Sequence, residues 1–173
     1  MISREKVKYP DVFSLHKKER KLTILHIITN VHIGGAERAL LRAMRLYNRD
    51  KFNHIIVTLL PPGRLFEQFK KEDVEIHSLN MKSYFDFRSL PKYIQILREK
   101  KPIIVVAYLF HALSFAIIGK IVYPHTILIH NKRNITMGST FRDILTKFYT
   151  FLVDYLIVVS KGTFALESKA KFR

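Results

Sequence analysis

At 173 residues, with 48% apolar and 25% charged side chains, the chain is long enough for one domain with its own core and too apolar for disorder. Cysteine is absent, which excludes a disulfide framework, a thiolate metal site and a cysteine nucleophile. Thirty lysines and arginines against fourteen acidic residues give a net charge of +16; such a surface attracts nucleic acid, anionic headgroups or phosphorylated substrates without choosing among them, and a solvated surface with a charged tail accounts for it as well.

Residues 1–21 read as a charged lead-in outside the core, carrying Pro10 and the run HKKERK and lacking the apolar stretch of a secretory signal. From Leu22 the pattern becomes regular. Short apolar runs at 22–29, 54–60, 74–79, 102–109, 126–130 and 155–160 predict strands, and segments of helical spacing at 36–47, 65–72, 90–100, 112–121 and 141–153 lie between them. In the first helix Ala39, Leu40, Ala43, Leu46 and Tyr47 form the expected core stripe, with Arg38, Arg42, Arg45 and Arg49 outside it. The apolar run Ile103–Ile118 is short for a membrane span and has His111 within it. Its β-branched first half and its Ala- and Leu-bearing second half suit a buried strand feeding a buried helix. Strands and helices in alternation predict a doubly wound α/β domain with a parallel, Rossmann-like sheet over 22–173.

In such a sheet ligands sit beyond the carboxyl ends of the strands. The loop TNVHIGGAERALL follows the first strand, and Gly34 and Gly35 let backbone approach a ligand at a helix N-terminus that favours phosphate or a sugar hydroxyl. Neither GxGxxG nor GxxxxGK[ST] is present, and a tight strand-to-helix turn explains the two glycines equally well. His111, past the fourth strand, is placed to hydrogen-bond a sugar hydroxyl or to sit as a satisfied histidine at a half-buried helix start. Asn131 and Arg133 follow the fifth strand, where the guanidinium suits a phosphate or carboxylate and a solvated turn is the alternative. Ser160 ends the sixth strand as a ligand contact or a helix N-cap. Glu37 falls in the first turn of its helix, where a carboxylate complements the dipole. His26, His54, His77 and His125 are scattered with no HxxxH or HExxH spacing, so no metal site is expected.

The string ILHIITNVHIGGAERALLRAM resembles the opening of family 4 glycosyltransferases: an apolar strand, a short loop, then GGAE and an amphipathic helix. FNHIIVTLLPPGRLFEQFKKEDVEIHSLNM, DFRSLPKYIQILREKKPIIVVAYLFHA, TILIHNKRN and VDYLIVVSKGTFAL continue the likeness in order, from Leu22 to the terminus. The resemblance implies the N-terminal, acceptor-side half of a two-domain GT-B enzyme. Such an enzyme moves sugar from a nucleotide-sugar co-substrate to a glycan or lipid-linked acceptor, with no metal and no other cofactor. It further implies that Gly34 and Gly35 reach the donor phosphates and that Ser160 lies near the cleft. The C-terminal nucleotide-binding half has no counterpart here, so the lone chain is expected to be incomplete or truncated and to need a separate C-terminal partner. Where the family often carries a histidine that contacts the reacting sugar, this chain has Tyr108, which puts catalysis in doubt more than binding. The basic segments 88–101 and 141–153 suggest a cytoplasmic protein peripheral on the inner face of an anionic membrane. The alternatives are a non-catalytic sugar- or phosphate-binding module and a basic α/β domain for nucleic acid. The last lacks any recognition signature, and its basic residues are dispersed, so no specific nucleic-acid partner is expected.

Overall fold

A computed structural model describes residues 21–83, 86–132, 148–149 and 151–158. Among them six strands form one all-parallel sheet: β1 (Leu22–Ile28), β2 (Phe52–Thr58), β3 (Glu75–Ser78), β4 (Ile104–Tyr108), β5 (Ile127–Lys132) and β6 (Tyr155–Val158). Helices α1 (Gly35–Leu46), α2 (Phe66–Lys71), α3 (Leu90–Lys100) and α4 (Leu109–Val122) connect them, with a 3-10 turn at Phe87–Ser89 ahead of α3. The spatial order β3-β2-β1-β4-β5-β6 is the doubly wound arrangement expected from the alternation. Of the helix expected at 141–153, only 148–149 and 151–153 are described; Phe148 and Tyr149 are helical.

Alternation along each strand sends side chains to two cores. Leu25, Ile27, Val57, Val105, Ala107 and Leu128 meet Tyr93, Ile96 and Leu97 of α3 and Leu113, Phe115 and Ile117 of α4. On the opposite face Ile28, Ile56, Val106 and Tyr108 meet Leu40, Leu41 and Met44 of α1 and Phe69 of α2. Strands buried on both faces need continuous apolar sequence, which is why the runs show little polar alternation. Each fully buried Leu, Ile or Phe contributes roughly 1.5–3 kcal/mol of transfer free energy. The apolar run Ile103–Ile118 resolves into β4 and α4. Among the described residues no helix is long and apolar enough to cross a membrane.

One sequence expectation shifts by part of a turn. The buried stripe of α1 is Ala36, Glu37, Leu40, Leu41 and Met44, while Leu46 is 84% exposed. The helix is rotated so that Met44 reaches the core and the four arginines stay outside, a choice that the many alanines of the helix leave open. Past α4, the Asp154 carboxylate accepts a hydrogen bond from the Leu128 backbone N–H at 2.7 Å and pairs with Lys120, tying the start of β6 to β5 and to the last turn of α4.

Candidate functional site

Parallel strands end on the same side of the sheet, and the strand order reverses between β1 and β4. In doubly wound sheets such a reversal is the place above the strands' carboxyl ends where ligands bind. The loop after β1 is held on backbone hydrogen bonds. Leu60 N–H donates to Thr29 O at 2.8 Å, and Leu65 N–H donates to Val31 O at 2.9 Å. His32 N–H donates to the Asn30 side-chain oxygen at 3.2 Å. The loop after β2 thus lies against the loop after β1. Gly63 makes that contact possible, because a Cβ there would stand 2.5 Å from His32 Cγ and 2.6 Å from its backbone nitrogen.

Gly34 is the N-cap of α1 with extended backbone (φ −150°), so its role is space and not an unusual dihedral. The Glu37 carboxylate folds back over it into the volume a Cβ would take. Glu37 is buried in the first turn at the positive end of the helix dipole, the structural role expected of it. Gly35 is exposed, and a Cβ on it would meet nothing within 4 Å.

On the other side of the reversal, β4 passes into α4 without an intervening loop. Leu109 makes the turn with φ of 66°, a left-handed conformation costing a residue with a Cβ roughly 1–2 kcal/mol. This elbow sets the N-terminus of the 14-residue helix α4 directly above the strand end. His111, third in α4, is half-buried, with its ring edge-on to Phe110 at 5.4 Å. Tyr108 is turned the other way. It is 5% exposed among the side chains facing α1, and its hydroxyl lies 3.2 Å from His26 Nδ1.

Asn131 stands opposite Tyr108 in the β4–β5 register, and among the described residues its buried side-chain oxygen has no hydrogen-bond partner. Its neighbour His130 is fully buried, and among the described residues neither ring nitrogen has a partner; burial, reinforced by Lys132, pushes its pKa down to about 4. The structure therefore brings Gly34, Gly35, His111 and Asn131 to the carboxyl ends of β1, β4 and β5. Arg133 and Ser160 lie outside the described residues. Among the described residues no group of three His, Asp or Glu side chains is placed to hold a metal.

Sequence reading missed two features. One is Gly63, which looks like an ordinary turn glycine until the loop against it is known. The other is a buried polar row: His26 Nε2 lies 3.2 Å from His54 Nδ1, and Tyr47 stacks on His54 at 4.0 Å. The signal was parity. In the parallel register His26 faces Ile56, so His54, two residues earlier, shares its face.

No protein-family model matches the chain. It is 30% identical over 80 residues to CapH, a capsular polysaccharide biosynthesis glycosyltransferase of Staphylococcus aureus; the match takes in 46% of this chain and 21% of that protein. Among solved structures it is similar to Anabaena HepE in complex with UDP and glucose. The TM-score is 0.72 and the identity 15%, over 86% of this chain and 41% of HepE. A UDP-N-acetylglucosamine 2-epimerase is similar with a TM-score of 0.59 and 11% identity, over 83% of this chain and 43% of the epimerase. The chain thus spans about a fifth of the curated relative and about two-fifths of these structures. In fold it is one Rossmann-like half of the GT-B architecture.

Proposed function

We propose that the chain is the acceptor-side domain of a family 4 glycosyltransferase. In this reading it holds a glycan or lipid-linked acceptor while a facing nucleotide-binding half presents the nucleotide-sugar. The observation that carries this reading is the sequence match to a capsular polysaccharide glycosyltransferase. The fold is shared with an epimerase and does not choose between transfer and epimerisation. The position of GGAE at the β1–β4 reversal supports the same reading.

Within it, Gly34, Gly35 and the N-terminus of α1 approach the donor phosphates, and His111 and Asn131 contact sugar hydroxyls, with Arg133 and Ser160 as further contacts. The inward turn of Tyr108 favours a packing role for that side chain, leaving His111 as the candidate for proton transfer. The charge of +16 supports a cytoplasmic protein held at the inner face of an anionic membrane. Co-sedimentation with anionic vesicles at low salt tests that attachment, and no binding there removes it.

Calorimetric titration of UDP, GDP and their sugar conjugates into the chain tests the assignment. An acceptor-side half binds them no tighter than about 1 mM, equivalent to about −4 kcal/mol. Micromolar binding by the chain alone contradicts it.

A further inference from the structure

Among the described residues, most of the exposed large apolar side chains lie at the β5–β6 end of the sheet. Phe148, Phe151 and Leu152 stand in the segment that enters β6, Tyr155 opens that strand, and Ile121 and Val122 close α4. Single exposed apolar residues are ordinary; a group with this aromatic content marks a surface that meets a partner or a membrane.

The outward direction of the set is fixed by its neighbours. Tyr149 and Val153, four residues apart, pack against the α4-side core, and the Tyr149 ring stacks on Phe110 at 6.0 Å. Phe151 N–H donates to Phe148 O at 3.1 Å and Leu152 N–H donates to Tyr149 O at 3.0 Å, which closes the turn. Asp154, paired with Lys120 and with the Leu128 N–H, pins its far end. Phe148, Phe151 and Leu152 are three and four positions apart and therefore share the outer face, where Phe151 is 86% exposed. Turning them inward would pull Tyr149 and Val153 out of the core.

The surrounding sequence is basic. Residues 120–161 hold six lysines and arginines against two aspartates, and one of these, Asp154, is already paired with Lys120. An apolar face in such a field suits an anionic bilayer, because charge draws the protein to the headgroups and the apolar side chains enter below them. A second copy fits the face poorly, since each copy brings a charge of +16 to the contact. We propose that the protein inserts Phe148, Phe151 and Leu152 into an anionic leaflet; this rests on the membrane attachment proposed above and names its contact face.

The chain has no tryptophan, so Phe151→Trp supplies a single fluorescent reporter. Phe87→Trp, at a half-exposed position in the other basic segment, serves as the reference. Each is titrated at low salt with vesicles of mixed phosphatidylglycerol and phosphatidylcholine, with and without brominated acyl chains. The expected result is a blue shift and bromine quenching for Phe151→Trp and neither for Phe87→Trp. Adding Phe148→Ser and Leu152→Ser to the reporter, with the amide spectrum otherwise unchanged, should weaken vesicle binding at least about tenfold. Vesicle binding without quenching at Phe151→Trp, or with equal quenching at Phe87→Trp, overturns the insertion and leaves the charge-driven attachment standing. No binding to the anionic vesicles removes both. A blue shift that grows with protein concentration in the absence of vesicles assigns the face to a second copy and overturns the proposal as well.

Discussion

Three imidazoles are held neutral inside this fold, so its stability falls in mild acid. His26 is 1% exposed and its pKa is pushed down to about 3 by burial, with a contribution from His54; His54 and His130 are each held at about 4. In the unfolded chain all three return to the ordinary value of about 6.5. As pH drops below that value the unfolded state takes up protons that the folded state refuses, so stability is complete above about 6.5 and is lost as pH falls toward 4. At pH 5.5 each group costs about 1.4 kcal/mol, or about 4 kcal/mol for the three together, a large part of the stability of a small domain. Glu75 and Asp86, whose carboxyls are held below their usual range by Lys100 and Arg88, lose their contribution only at lower pH. Urea unfolding at pH 7.5 and 5.5 and constant ionic strength measures the difference. A His130→Leu variant removes one proton from the linkage and recovers about 1.4 kcal/mol of it. Equal stability at both pH values, or a pH dependence unchanged by His130→Leu, refutes the reasoning.

Gly63→Ala places a methyl against the His32 ring and backbone, and is expected to cost about 1–3 kcal/mol and to shift the amides of 30–35, read by thermal unfolding and amide spectra. An unchanged melting temperature contradicts the loop-to-loop contact. Gly34→Ala displaces the Glu37 carboxylate from the first turn of α1 and is expected to cost about 1 kcal/mol. In Gly34→Ala/Glu37→Ala the two costs should sum to less than their separate values, and strict additivity would break the link between them. Among the described residues the fully buried Tyr93 hydroxyl has no partner, and burial alone raises its pKa. Tyr93→Phe should therefore be neutral or stabilise by up to about 1 kcal/mol in chemical denaturation. A loss above about 1 kcal/mol would reveal a partner for that oxygen.

Much of this fold is legible in the sequence because parallel strands buried on both faces must be written as apolar runs. Thus HIIVTLL and PIIVVAYL became β2 and β4 within about two residues of their expected bounds. The run through Ile103–Ile118 shows how far length and β-branching decide, since both favoured a strand feeding a helix over a span. Placement of Gly34, Gly35, His111 and Asn131 at one sheet edge followed from strand order alone. Contacts were harder to read. The rotation of α1 depended on which of several alanine-flanked faces Met44 and Leu41 would seal. Tyr108 reads as an edge residue by position, yet strand parity sends it into the α1-side core toward His26. The pairing of His26 with His54 requires the β1–β2 register, which no local pattern contains.

The central claim, that the chain acts through the carboxyl ends of β1, β4 and β5, is tested most directly by amide chemical-shift mapping with a nucleotide-sugar and candidate acceptor glycans at millimolar concentration. Saturable shifts clustered on residues 30–35, 108–111 and 131–132 are the predicted result. Shifts absent from that edge with every ligand, or found only at the amino-terminal ends of the strands, would contradict the account.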